Sequence, residues 1–187
     1  IKNKKNLGAC IARNIGIKKA GGDFIWFLDN DSLIFKKNTL TSMMGLIKNE
    51  KIGAVGGESW VENGVEKGLK KRILLKNGET VWVDIKIGDE IIKSDYFSTS
   101  NFLVKKEILY DIGGFNPIYF YLFEDVDISY KIRKKGLDLI SNENTIVYHK
   151  QSQDQRRTKI QSFSSFFLNN KRRITFIVLN FNIFYLA

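Results

Sequence analysis

Five apolar residues, Phe24-Ile25-Trp26-Phe27-Leu28, run directly into Asp29-Asn30-Asp31-Ser32. An unbroken apolar run of this length suits a fully buried strand, because other parts of the chain must cover both of its faces. The strand then releases two carboxylates in i, i+2 spacing, at the end where open α/β sheets bind their ligands. Two anions this close repel each other unless a cation lies between them. A hard divalent cation takes oxygen ligands, and a diphosphate is its natural cargo. Asp, Asn and Ser also favour turns, so these residues taken alone read equally well as a polar strand end.

The flanking segments favour an α/β chain. Ala9, Ala12, Gly16 and Ala20 fall on one helical face, which Gly21-Gly22 ends, so a helix feeds the central strand. A parallel sheet needs strands before such a helix, and the sequence therefore reads as a fragment whose first strands lie upstream of Ile1. Leu40, Met43, Met44 and Ile47 predict a core-facing helix over 39–49, and Ile52–Val55 with Gly56-Gly57 the next strand. Between 58 and 95 short strands are expected, with Asn77-Gly78 as a hairpin turn. Trp60 and Trp82 read as packing residues there. A strand over 96–104, a short helix from Lys105 closed by Gly113-Gly114, and a helix over 124–135 with Val126, Ile128 and Ile132 inward follow. Strands over 137–140 and 145–148 complete the first 150 residues, the second ending at the only histidine, His149.

Charge separates the chain into two parts. The formal charge is +10, and residues 1–150 hold 24 basic and 19 acidic residues, against 6 basic and 1 acidic in 151–187. The body is nearly balanced and the tail is basic. Ile160, Phe163, Phe166 and Phe167 mark one helical face there, and the apolar run 174–187 is too short for a bilayer, which needs roughly 20 residues. The tail thus reads as a helical segment: 156–187 suits an anionic membrane surface or nucleic acid, and 174–187 an interfacial helix, the start of a longer span or a helix buried against a further segment. A single cysteine, Cys10, excludes an internal disulfide and fits a reducing compartment.

Glu124-Asp125-Val126-Asp127 opens a predicted helix, where acids suit the macrodipole and need no function. With Asp29/Asp31 and His149 they form an ordered set. On Asn6-x-Gly8-x-x-x-Ala12-Arg13-Asn14-x-Gly16, Gly22 to Asp31, Ser100-Asn101 to Glu107, Ile112-Gly113-Gly114-Phe115, Phe123 to Tyr130 and Val147-Tyr148-His149, the chain resembles the family 2 glycosyltransferases. The resemblance covers residues 6 to 150. Phe167 to Arg172 is similar to an element of rhamnosyltransferase-like members.

The resemblance implies a GT-A (Rossmann-like) fold, a mixed sheet flanked by helices, and an inverting sugar transfer from a nucleotide-sugar donor. In that reading Asp31 binds Mn²⁺ or Mg²⁺ with Asp29 beside it, and His149 is a further metal ligand that favours Mn²⁺. Asp125 is the catalytic base, with Glu124 the alternative. Arg13 and Asn14 lie near the nucleotide, Ser100 and Asn101 contact the acceptor or donor sugar, and Asp127, also on the substrate side, orients the helix or the acceptor. Asn116 stands where the family commonly has an acid. The acceptor is a saccharide or a lipid-linked sugar, and the setting is cell-surface polysaccharide synthesis at the cytoplasmic face of the membrane.

Two other classes fit parts of the sequence. A metal-dependent nucleotidyltransferase also uses paired acids, yet would carry a Gly-rich basic phosphate loop near its start. A basic module for membranes or nucleic acid draws on the +10 charge, but the balanced body argues against nucleic acid.

Overall fold

The computed structural model describes residues 1–62, 65–85, 90–149 and 159–181. Two five-stranded sheets organise it. The first runs β1 (Phe24–Leu28), β8 (Asn101–Lys105), β3 (Ile52–Gly56), β9 (Asp138–Ser141), β7 (Ile92–Ser94). In it β3 and β9 are parallel, and the other pairs are antiparallel. The second runs β2 (Ser32–Leu33), β10 (Val147–His149), β4 (Glu58–Glu62), β5 (Val65–Leu74), β6 (Thr80–Asp84). Helices α1 (Gly8–Lys19), α2 (Thr39–Ile47), α3 (Lys106–Asp111), α4 (Glu124–Lys134) and α5 (Lys159–Asn180) complete the mixed α/β architecture expected of a GT-A fold.

The central strand has both faces covered, as an apolar run requires. Ile25 and Phe27 pack on the main core, while Phe24 and Trp26 pack on a second cluster built around Met43, Ile47 and Leu103. It is nevertheless not fully buried. Among the described residues β1 pairs only with β8, so it is the edge of its sheet; Phe24 to Phe27 are half-buried and Leu28 is exposed. Coverage of two faces protects side chains from water, but only a strand on each side protects the edge.

Helix α1 also differs from expectation. Ala12 and Gly16 are exposed, and the inward stripe is Cys10, Asn14 and Ile17. The reason is specific bonding: the Cys10 thiol donates to the Tyr119 carbonyl at 2.7 Å, and Asn14 grips the backbone of Phe115. Burial pushes that thiol up to about 12, so Cys10 is a packing residue and not a nucleophile. Residues 96–100 are not strand: the ladder is split into β7 and β8, with the irregular stretch between them.

Asn101 shows why. Its amide donates to the carbonyls of Gly57 and Thr145, and its Oδ1 accepts from the Trp26 indole N–H at 2.8 Å. One buried side chain thereby joins the crossover after β3, the turn before β10 and the central strand. Asn101→Ala takes a partner from the Thr145 carbonyl and the Trp26 indole and leaves the Gly57 carbonyl only the 3.4 Å bond from the Val147 N–H, at about 1–3 kcal/mol for each group left wanting. Because such terms are not additive, the expected loss is about 2–4 kcal/mol, or about 5–15 °C in Tm. Thermal unfolding followed by circular dichroism checks it.

The C-terminal helix is built into the body. Phe176 is fully buried in the main core and meets Tyr130 edge-on at 5.3 Å. Asn180 donates to Asp127 Oδ1 at 3.1 Å, and Arg173 pairs with Glu79 at 2.7 Å. α5 thus fastens α4 to the tip of the β5–β6 hairpin.

Candidate active site

The end of β1 is held by main chain. The Asp29 N–H and the Ser32 hydroxyl both donate to the Ser100 carbonyl, at 3.4 and 2.9 Å, and Ser32 N–H closes a turn onto the Asp29 carbonyl at 3.0 Å. Asp29 and Asp31 stay half-buried on that turn. Immediately beyond it, Ser32 pairs with His149 across β2 and β10. The fold therefore brings the backbone of His149 to the residue that follows Asp31. Its imidazole lies outside the described atoms.

The second pair of acids is launched from an unusual backbone. Leu122 and Phe123 both have positive φ, +68° and +69°, with no glycine at either place. Left-handed geometry costs a non-glycine residue on the order of 1–3 kcal/mol, and such strain collects at functional sites. Here the two turns aim the first turn of α4 back towards β1, and the Asp127 N–H bonds the Phe123 carbonyl at 2.9 Å.

Arg13 joins the two halves. Its guanidinium donates to Glu124 Oε1 at 3.1 Å, lies 3.5 Å from Asp29 Oδ1, and stacks over Phe115 at 5.5 Å. Carboxylates 95 positions apart in sequence thereby share one cation. Asn14, one residue on, keeps the floor of this region in place: its Oδ1 accepts from the Phe115 N–H and its amide donates to the Phe115 carbonyl. A side chain at Gly114 would strike that amide, at 2.7 Å, and Gly114 has φ +66°. Glycine is required there on both counts.

The acids of α4 differ in surroundings. Glu124 is nearly buried; one oxygen meets Arg13, while Oε2 has no hydrogen-bond partner among the described residues. A buried acceptor of this kind suits a donor brought by a ligand. Asp125 Oδ1 accepts only from the Val126 N–H, at 2.8 Å, among its described hydrogen bonds. Desolvation, and then the charge of Glu124, push its carboxyl up to about 6. Asp127 is buried and paired with Lys131 at 2.9 Å and with Asn180.

Among the sequence-expected residues, the fold thus gathers Arg13, Asp29, Glu124 and Asp125, with Asp31 and the His149 backbone on the adjoining turn. Asn14, Asn101 and Asp127 spend their polar atoms inside the protein. Ser100 is fully buried; its hydroxyl meets Ser98 at 3.0 Å, and it serves the turn through its carbonyl. These four positions bond the walls of the site to one another. Arg72 was not foreseen. It is buried between the rings of Trp82 and Tyr96, at 5.2 and 5.6 Å.

Among the described residues no three His, Cys, Asp or Glu side chains are grouped to hold a metal ion. Asp29 and Asp31 nevertheless fit a hard divalent ion, being oxygen donors on one half-open turn. They would supply part of a coordination sphere that a diphosphate completes.

The family model described as Glycosyl transferase family 2 matches residues 1–127. Among solved structures the chain is similar to GalNAc-T7 with UDP, GalNAc and Mn²⁺, with a TM-score of 0.65 and 19% identity, over 80% of this chain and 31% of that one. It is also similar to the mannosyltransferase PcManGT from Pyrobaculum calidifontis in complex with GDP-Man and Mn²⁺. There the TM-score is 0.58 and the identity 16%, over 83% of this chain and 40% of that one. The chain thus spans well under half of either structure. No curated protein sequence matches it significantly.

Proposed function

From the premise that the chain belongs to glycosyl transferase family 2, we propose that it moves a sugar from a nucleotide-sugar donor to a hydroxyl of a saccharide or lipid-linked acceptor. The observation that carries this reading is the convergence, on Arg13, of the Asp29 turn and the first turn of α4. A donor diphosphate held at one and an acceptor hydroxyl held at the other would meet between them.

Asp125 is the base in this reading. Glu124 Oε1 is occupied by the Arg13 guanidinium, whereas Asp125 carries no such partner among its described hydrogen bonds. A carboxyl raised to about 6 is still ionised at neutral pH and is a better base than an ordinary aspartate. It takes the hydroxyl proton as the acceptor oxygen attacks the anomeric carbon, on the face opposite the departing diphosphate, so the configuration inverts. Glu124 Oε2 accepts a hydrogen bond from the acceptor sugar. Asp29, Asp31 and His149 would hold Mn²⁺ or Mg²⁺, which when bound neutralises charge on the leaving diphosphate.

The test is transfer of label from a panel of nucleotide-sugars to saccharide and lipid-linked acceptors, with Mn²⁺, on the complete protein. Product with inverted anomeric configuration is expected; hydrolysis or nucleotidyl transfer alone would overturn the assignment.

The same reading places the protein on the cytoplasmic face of a membrane, in polysaccharide synthesis. No described helix is long and apolar enough to cross a bilayer. α5 has no acidic residue, and Phe166, Phe167, Ile174, Val178 and Leu179 are exposed on it. Such a helix suits the interface of an anionic bilayer. Flotation with anionic vesicles should recover the protein, and Phe167→Ser with Ile174→Ser should lower recovery several-fold. Equal recovery with neutral vesicles would count against this placement.

A further inference from the structure

We propose that α5 positions the acids of α4. One stripe of it, Arg172, Phe176 and Asn180, holds the left-handed turn at Leu122 and Phe123 that aims Glu124 and Asp125 at the Asp29 turn. The inference rests on the transferase reading above, and the helix that carries it lies beyond the family-matched residues 1–127.

The three residues lie at i, i+4 and i+8, on one face of the helix. Each meets a different point of the segment that leads into α4 and opens it. Arg172 Nη1 donates to the Ile118 carbonyl at 2.5 Å, and the rings of Phe176 and Phe123 are 5.9 Å apart. One turn on, the Asn180 amide donates to Asp127 Oδ1 at 3.1 Å, and the Asn180 carbonyl accepts from the Tyr130 hydroxyl at 3.4 Å. The other support comes from α1. The Cys10 thiol donates to the Tyr119 carbonyl at 2.7 Å, and the Ala9 N–H to the Phe120 carbonyl at 3.2 Å. Three successive carbonyls, those of 118 to 120, thus take donors from helices outside the segment, one from α5 and two from α1.

The turn needs this support. Leu122 and Phe123 lack a glycine's freedom, and Phe123 caps α4 with no side-chain hydrogen bond to its first turn. Two left-handed residues in succession persist only where their surroundings over-determine them. Phe123 immediately precedes Glu124, so relaxing its backbone towards an ordinary conformation swings both acids. The Asp29 turn hangs instead on the Ser100 carbonyl. Loosening the stripe on α5 therefore displaces the base while leaving the donor's side of the site in place.

Arg172 carries the test, because Phe176 is fully buried in the core and its loss would disturb more than the turn. Arg172→Met should lower kcat about tenfold or more, as a reacting group set slightly out of place does, with the donor KM near the parent's. The rate is taken per site that binds UDP or GDP with Mn²⁺, so that a smaller folded fraction is not read as slower chemistry. Arg172→Lys, which can still donate to the Ile118 carbonyl, should recover most of the rate. Asn180→Ala serves as a second variant should the methionine variant fail to fold. In parallel, amide hydrogen exchange without substrate should quicken about tenfold across 118–127 and keep the parent's rate in β3 and β8. That local change supports the proposal even where no transfer is detected, which separates it from failure of the transferase reading. Exchange in 118–127 that matches the parent, or that quickens equally throughout the protein, overturns it, as does a folded Arg172→Met variant with the parent's kcat.

Discussion

Asp125→Asn is expected to lower transfer about 10²–10⁴-fold, the usual contribution of a positioned general base, while making the folded protein more stable at neutral pH. The two effects have one cause. Folding raises the Asp125 carboxyl from an ordinary 3.8 to about 6, through desolvation and the neighbouring Glu124. The unfolded chain therefore gives up this proton at lower pH than the folded one, and between about pH 4 and 6 the group's contribution to stability falls as pH rises. Above pH 6 the ionised carboxylate is a standing cost to the fold. Asparagine removes that cost and can still accept the Val126 N–H with its Oδ1. Relative to the parent, the variant should gain on the order of 1–2 kcal/mol above pH 6, and the gain should vanish below about pH 4. Thermal melts at pH 4, 6 and 8 beside the transfer assay read both. A variant with near-parent activity would remove Asp125 from the mechanism, and equal melts at every pH would remove the desolvation account. Glu124→Gln provides the contrast: it abandons Arg13, so it should destabilise.

Much of the architecture could be read because each signal was local. The carboxylates after an apolar run, the acids opening α4 and the glycine pairs are short patterns, and the fold uses them where they were expected. What escaped depends on partners far away in sequence. The half-burial of β1 follows from its having one paired edge, which side-chain pattern does not encode. The inward face of α1 was misplaced because counting apolar residues passes over Asn14, whose polarity is spent on the backbone of Phe115. Asn101 is the same case in the sheet: an asparagine that binds a sugar and one that ties three segments together look alike until their neighbours are known. Arg72 was hidden in Lys70-Lys71-Arg72, which resembles a solvated basic run. One signal could have exposed it. A three-residue loop centred on Asn77, in place of the two-residue turn expected at Asn77-Gly78, pairs 72 with 82, as the register does, and so sets an arginine opposite a tryptophan.

The second large effect belongs to the turn after β1. Asp31→Ala should lower transfer by about 10²-fold or more and abolish the Mn²⁺-dependent part of nucleoside diphosphate binding, since a metal's charge stabilisation is worth several kcal/mol. The turn itself should survive the change. It is held by the Asp29 and Ser32 bonds to the Ser100 carbonyl, none of which uses the Asp31 carboxylate. The Asp29 carboxylate also faces Arg13. Asp29→Ala should therefore lower both metal-dependent binding and Tm. The pair is read by thermal shift with UDP or GDP, each with Mn²⁺ and with chelator. If Asp31→Ala retains the full Mn²⁺-dependent shift, the turn is not the metal's seat, and the polar strand end that its sequence also allows is the correct description of Asp29-Asn30-Asp31.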